Sequence, residues 1–272
     1  MTAANPYLLP EGNVQIAFSG GRTSAYMLHQ ILEANGNLPD RVEVSFQNTG
    51  RERPETLDFV AEVGWRWGVT ITWLEYRAKK PLFEVVGYQG ASRNGEPFDA
   101  LIAKKQALPN QFKKWCSAEL KTKTAKRYLV SLGWKCWTSA IGFRHDEPHR
   151  ETYPDNRSTA WLPLRQAGVT RHDVVEFWRR QPFDLGLPIV NGRTVGGNCD
   201  GCFLKSEQAL AVLSRDEPDR HAWWERHECA RGHQFSDRFS RAELRSYIER
   251  QGDLALSTEG LLCQADGGEC VG

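Results

Sequence analysis

The sequence predicts an α/β fold, an open and mostly parallel sheet of five or six strands with helices on both faces. Two observations carry this. The first third of the chain alternates strand, helix, strand, helix, strand, an order that gives parallel pairing through right-handed crossovers. A glycine-rich turn, Ser19-Gly20-Gly21-Arg22-Thr23-Ser24, stands between the first strand and the first helix, at the end of the sheet where such folds bind ligands.

Residues 14–18, VQIAF, are a short strand. Residues 23–34 are a helix with Ala25, Leu28, Ile31 and Leu32 on one face and Asn35-Gly36 as its stop. VEVSF, 42–46, is the second strand and NTGRER a loop. A helix over 54–67 starts at Pro54. VTITWLEY, 69–76, alternates and is β-branched, the third strand. Residues 87–114 are basic and less regular, a helix covers 117–132, and CWTSAIGF, 136–143, is a buried strand. A polar loop follows, then a helix over 169–182 capped by Thr170. Residues 183–202 are a glycine-rich loop; 206–214, 218–230 and 240–251 are helical, and the tail is irregular. Domain boundaries are expected at 1–205, an α/β domain that carries the glycine-rich turn, and 206–272, a helical extension with a cysteine-bearing tail.

The chain has 272 residues, 40% hydrophobic and 25% charged, which suits a sizeable globular core. A net charge of +1 gives no global field for a polyanion. No apolar run is long enough to span a membrane, and the N-terminus lacks a secretory pattern, so a cytoplasmic protein is expected. The ten tryptophans mostly fall in periodic segments and read as core.

The turn at 19–24 is neither a Walker loop, which needs G-x-x-x-x-G-K-S/T, nor a G-x-G-x-x-G fingerprint. Its chemistry still suits a phosphate. Gly20 and Gly21 allow close backbone approach, Ser19, Thr23 and Ser24 offer hydroxyls, and a helix N-terminus is electropositive.

Seven cysteines without a signal peptide argue for metal or redox use rather than disulfides. Cys199-x-x-Cys202 in a glycine-rich loop is a ligand pair, for zinc or iron–sulfur. Cys116 follows Lys113 and Lys114, which favour a thiolate. Cys136, in an apolar strand, reads as a small buried hydrophobe, and Cys229 as incidental.

Arg144 and Arg150 flank Asp146 and Glu147. Guanidinium groups suit bidentate phosphate binding, and either carboxylate can help hold Mg²⁺. His145 and His149 read as solvated, and Lys121 as a phosphate contact or an exposed helix side chain. Segment 104–127 holds Lys104, Lys105, Lys113, Lys114, Lys121, Lys123, Lys126 and Arg127 against Glu119 alone, with Phe112 and Trp115 interleaved. It is a solvated face or a nucleic-acid contact.

Several segments in order resemble the phosphoadenosine phosphosulfate (PAPS) reductase family of PP-loop, adenine-nucleotide α-hydrolase-like enzymes, especially its short phage-type members. They are SGGRTS, NTGRERPETLDFV at 48–60, WCSAELKTKTAKRYL at 115–129, IGFRHDEPHR at 141–150, residues 162–188, and GGNCDGC at 196–202. The resemblance implies an adenine nucleotide held by Ser19 to Ser24, Thr49, Gly50, Gly142, Arg144 and Arg150, with Arg144, Lys121 and Asp146 in catalysis. It also implies a 4Fe–4S cluster on Cys116, Cys199, Cys202 and a tail cysteine, Cys263 or else Cys270. Three protein ligands with an open iron are the other arrangement.

The family's C-terminal E-C-G-L-H nucleophile motif is absent; the tail reads GLLCQADGGECVG. The expected activity is therefore Mg²⁺-dependent ATP cleavage that adenylates an acceptor, with iron–sulfur-assisted sulfur transfer to a nucleic acid or nucleotide. A sulfur-donor protein is an expected partner. The alternatives are a sulfonucleotide reductase and a non-catalytic nucleotide-sensing or DNA-associated module.

Overall fold

The computed structural model describes residues 5–152, 155–190 and 193–251. Its sheet has six strands in the order β4-β3-β2-β1-β5-β6. These are β1 (Val14–Ala17), β2 (Val42–Asn48), β3 (Thr72–Tyr76), β4 (Phe83–Val86), β5 (Trp137–Ala140) and β6 (Ser158–Trp161). All neighbours pair in parallel except β3 and β4, whose pairing makes β4 an antiparallel edge. Strand order reverses at β1, so its C-terminal end is the crevice where open sheets place ligands.

The two faces of the sheet differ in chemistry. Val14, Ile16, Val44, Phe46 and Trp73 point to one side and bury against α1 (Arg22–Asn35), α2 (Pro54–Arg66) and α7 (Arg171–Arg179). Val60, Leu28 and Trp178 fill that layer at 0%, 0% and 3% exposure, so it is sealed. The other side carries Gln15, Ser45, Gln47 and Ser139, which bond to one another. Gln15 Nε2 and Gln47 Nε2 both donate to Ser45 Oγ, at 3.1 and 2.9 Å, and Ser139 Oγ donates to Gln15 Oε1 at 3.0 Å. A polar floor of this kind needs partners above it, and here it lies under a cleft.

The helix expected at 117–132 is a composite. α4 (Trp115–Ser117) leads into a π-turn (Ala118–Thr122) and then α5 (Lys123–Ser131). Such π-turns frequently mark functional sites. α3 (Glu96–Lys105) and a short 3-10 turn occupy the segment expected to be irregular. The polar loop after β5 is shorter than expected because Ser158–Trp161 adds β6 to the sheet edge. Thr170 does cap α7: its N and Oγ1 both donate to Asp173 Oδ2, at 2.7 Å each. A four-residue α6 (Pro163–Gln166) precedes it, and β7 (Ile189–Val190) pairs antiparallel with β8 (Arg193–Thr194) inside the expected loop.

Three helices close the described chain: α8 (Glu207–Asp216), α9 (Pro218–Arg231) and α10 (Arg241–Gln251). Trp223 and Trp224 of α9 share a second hydrophobic cluster with Tyr76, Phe98, Leu101 and Leu120. Two expectations need correction. Cys136 is exposed, because β5 begins only at Trp137 and leaves it at the strand's open end. Trp65 is 78% exposed on the outer face of α2. Among the described residues no helix is long and apolar enough to cross a membrane.

Candidate active site

The turn after β1 is shaped by one hydroxyl. Ser24 Oγ accepts from Ser19 N at 3.2 Å, lies 2.9 Å from Ser19 Oγ, and donates to Gly21 O at 3.0 Å. Gly20 sits at φ +77°, and a Cβ there would come within 2.9 Å of Thr56 Cγ2 and 3.1 Å of Phe46 Cε2. Glycine is therefore required by conformation and by space. The α1 N-terminus bears Arg22, Thr23 and Ser24, all buried. The Arg22 guanidinium turns away to Asp184, to Thr194 Oγ1 at 2.8 Å and to Leu187 O at 2.7 Å. It ties this turn to the segment that leads into the cysteine loop.

A cleft of about 780 Å³ opens beside the turn, over the polar floor. Ser19, Ser24, Gly142, Phe143 and Lys121 are among the residues that line it. Lys121 comes from the π-turn, and its Nζ stands 3.8 Å from buried Glu52. Arg144 is 2% exposed. Its Nη1 donates to Thr23 Oγ1 at 3.3 Å, its Nε to Asp146 Oδ1 at 2.9 Å, and its backbone N to Glu147 Oε2 at 3.1 Å. Burial alone would raise the Asp146 carboxyl, but Arg144 and the Arg171 N–H offset it and hold it below the ordinary range. Arg150 pairs with Glu147 at 3.2 Å and lies over the Phe143 ring. Both carboxylates of this loop therefore hold arginines in place. His145 and His149 are exposed.

Thr49 and Gly50 are not among the residues that line that cleft, and Thr49 lies against Cys199. Thr49 Oγ1 is 3.4 Å from Cys199 Sγ, and it donates to Glu52 Oε2 at 2.8 Å. Gly50, at φ +78°, packs so closely on Gly95 that a Cβ would come within 2.9 Å.

Cys202 is buried, while Cys116 and Cys199 are half-buried against the same second cluster. The residue between the two loop cysteines organises the loop. Asp200, 2% exposed, accepts from Arg51 Nη2 at 2.5 Å, Arg220 Nε at 2.6 Å, Trp224 Nε1 at 2.8 Å and Gly201 N at 2.7 Å. Lys205 Nζ donates to Gly197 O and Arg241 Nη2 to Gly201 O, each at 2.8 Å. Burial lowers the Arg241 guanidinium to about 10, which leaves it charged at neutral pH. Asp200, Arg51, Arg220, Lys205 and Arg241 are the residues sequence reasoning missed. The only sequence signal was Asp200's place inside the C-x-x-C.

The two loops meet. Ser19 to Thr23 line a small cavity together with Thr194, Gly197 and Asn198, the residues just before Cys199. Among the described residues no set of three His, Cys, Asp or Glu side chains is arranged to hold a metal ion. Cys263 and Cys270 lie outside the described residues.

The model of the phosphoadenosine phosphosulfate reductase domain matches residues 13–158, over half of the chain. The chain belongs to the PAPS reductase family. This PAPS reductase-family protein is also 32% identical over 212 residues to the uncharacterized nin region protein ORF290 of Escherichia phage lambda, across 74% of this chain and 69% of that one. Its fold is similar, at 20% identity and a TM-score of 0.43, to the PAPS reductase of Candida auris in a phosphate complex, covering 67% and 81% of the two chains. A second similar structure, at 11% identity and a TM-score of 0.36, is the U34-tRNA thiolase NcsA of Methanococcus maripaludis with its 4Fe–4S cluster, covering 94% and 87%.

Proposed function

We propose that this chain is an adenylating enzyme that cleaves ATP between the α- and β-phosphates and works in sulfur transfer with an iron–sulfur centre. The observation that carries the reading is the cavity shared by the Ser19–Thr23 turn and Gly197-Asn198, which sets the cysteine loop against the phosphate-binding turn. Membership in the PAPS reductase family supports an adenine nucleotide as the ligand.

In this reading the base and ribose occupy the cleft over the polar floor, and the backbone of residues 19–24 holds the phosphates, with Gly142 leaving room beside Ser24. Thr49 and Gly50 then border the nucleotide on the cysteine side. Arg144, Arg150 and Lys121 stabilise charge on departing pyrophosphate. Asp146 fixes the Arg144 guanidinium, and its one-third exposed carboxylate is open to Mg²⁺.

The centre is assigned to the soft Cys199-x-x-Cys202 pair, with Cys116, which lies against the same hydrophobic cluster as Cys199, as a further ligand. Two unbonded, buried Arg241 nitrogens can donate hydrogen bonds near it. Cys263 is the proposed fourth ligand, with Cys270 or an open position as alternatives. When bound, such a centre supplies a site for carrying sulfide. The acceptor is proposed to be a nucleic acid or nucleotide, approached through 104–127, with sulfur delivered by a donor protein in the cytoplasm. Within that segment Lys105, Lys123 and Arg127 pair with Glu119, and Lys126 with Asp155. Lys104, Lys113, Lys114 and the 79% exposed Phe112 remain for a partner.

The test is anaerobic purification with iron and sulfide counts, followed by chromatographic analysis of labelled ATP. About four irons per chain, lost in Cys199→Ser and Cys202→Ser, are expected. A single zinc with no labile sulfide would contradict the centre. A sulfonucleotide reductase is the second reading, and family membership favours it. It requires thioredoxin-dependent sulfite release from adenylylsulfate or PAPS.

A further inference from the structure

Two buried cations grip the cysteine loop without forming an ion pair among the described residues. Lys205 is 4% exposed and Arg241 1%. Each donates to a loop carbonyl, Gly197 O and Gly201 O. Neither forms an ion pair among the described residues, and Arg241 Nε and Nη1 are buried without a hydrogen-bond partner. The nearby acids are committed elsewhere. Asp200 answers Arg51 and Arg220. Glu228 spends its two oxygens on the backbone N–H groups of Phe235 and Arg241 itself, reaching the guanidinium only through space. Four cationic side chains thus donate to the loop, and Asp200 satisfies two. Burying a charge without a counter-ion is costly, and a guanidinium with idle donors costs more. Among the described residues the Arg241 Nε and Nη1 donors lack an acceptor, and an anion at the loop would supply one.

We propose that Lys205 and Arg241 are the counter-cations of an anionic metal–thiolate centre on Cys199 and Cys202, with Arg241 Nε and Nη1 donating to its sulfurs. The inference rests on the functional reading above and deepens it. A centre of several thiolates with sulfide carries net negative charge, whereas a site with neutral ligands would not answer two cations. The two residues are positioning residues. They act on the centre's stability and reduction potential and touch no substrate.

The experiment compares full-length wild type, Lys205→Met, Arg241→Met and Arg241→Lys, each iron-loaded and after iron removal by chelation. Melting temperature, iron per chain and reduction midpoint are read for each. Removing iron is expected to lower the wild-type melting temperature more than that of either Met variant, because the Met variants leave no cation stranded. The iron-loaded Met variants should shift to a lower midpoint, since a lost cation disfavours the more negative reduced state. Arg241→Lys should restore most of both effects. If Arg241→Met fails to fold, Lys205→Met and Arg241→Lys carry the same comparison. Equal iron-dependence and an unchanged midpoint in iron-loaded variants would overturn this inference alone. A wild type that binds no iron would overturn the functional reading and this inference together.

Discussion

The two loops of the site are built in opposite ways. The phosphate-binding turn is closed by its own Ser24, which bonds Ser19 and Gly21 within five residues, while the Arg22 and Thr23 side chains reach out to Asp184 and Arg144. The cysteine loop is held from far away, by Arg51 from the loop after β2 and by Arg220, Trp224 and Arg241 from α9 and α10. The backbone turn of the first is closed by a local hydroxyl that a short sequence encodes. The other is a buried ionic assembly that exists only once distant elements have docked, so its integrity reports on the whole molecule.

The largest expected effect follows from that contrast. Asp200→Asn keeps shape and removes the charge that answers Arg51 and Arg220. Stranding buried cations costs about 3–5 kcal/mol. Chemical denaturation should show that loss, and iron content should fall with it. A stability within experimental error of wild type would mean that the loop is not organised by its central carboxylate.

Substitution in the phosphate-binding turn should cost less stability. Gly20→Ala meets Thr56 and Val60 at 2.9 and 3.0 Å in a left-handed conformation, a strain of about 1–3 kcal/mol. Ser24→Ala removes the hydroxyl that shapes the turn, and each lost bond is worth about 1 kcal/mol. Calorimetric titration with ATP should show weaker binding in Ser24→Ala while its iron content stays at the wild-type level. Joint loss of nucleotide and iron would break the separation between the loops.

The smallest effect concerns pH. Burial lowers the His221 imidazole below its usual value, with its bond to the Arg241 carbonyl offsetting part of this. Below about 6.5 the unfolded chain therefore takes up a proton that the folded chain refuses, and stability falls as pH drops through that value toward the folded pKa. His221→Gln should flatten this slope in melts between about pH 5 and 6.5, by at most about 1.4 kcal/mol per pH unit. An unchanged slope would assign acid sensitivity to other groups.

The same contrast explains what the sequence revealed. The parallel sheet, its crossovers and the phosphate turn were legible, because strand alternation, helix period and Gly20-Gly21 are local signals. The antiparallel β4 and the short β6 were not, since four-residue edge strands have too little pattern. Arg51, Arg220 and Arg241 were missed, because burial of an arginine depends on a partner far along the chain. Nor were the partners of the Arg22 guanidinium legible, since Asp184 and Thr194 lie 162 and 172 residues away.

The most direct test of the central claim, that phosphate turn and cysteine loop form one ATP-using centre, is a product analysis of α-labelled ATP with the iron-loaded protein and Mg²⁺. The account predicts AMP and pyrophosphate in equal amounts, slowly without acceptor, and strongly reduced by Gly21→Ala. Intact ATP, together with thioredoxin-dependent sulfite from adenylylsulfate that Cys270→Ser abolishes, would contradict it.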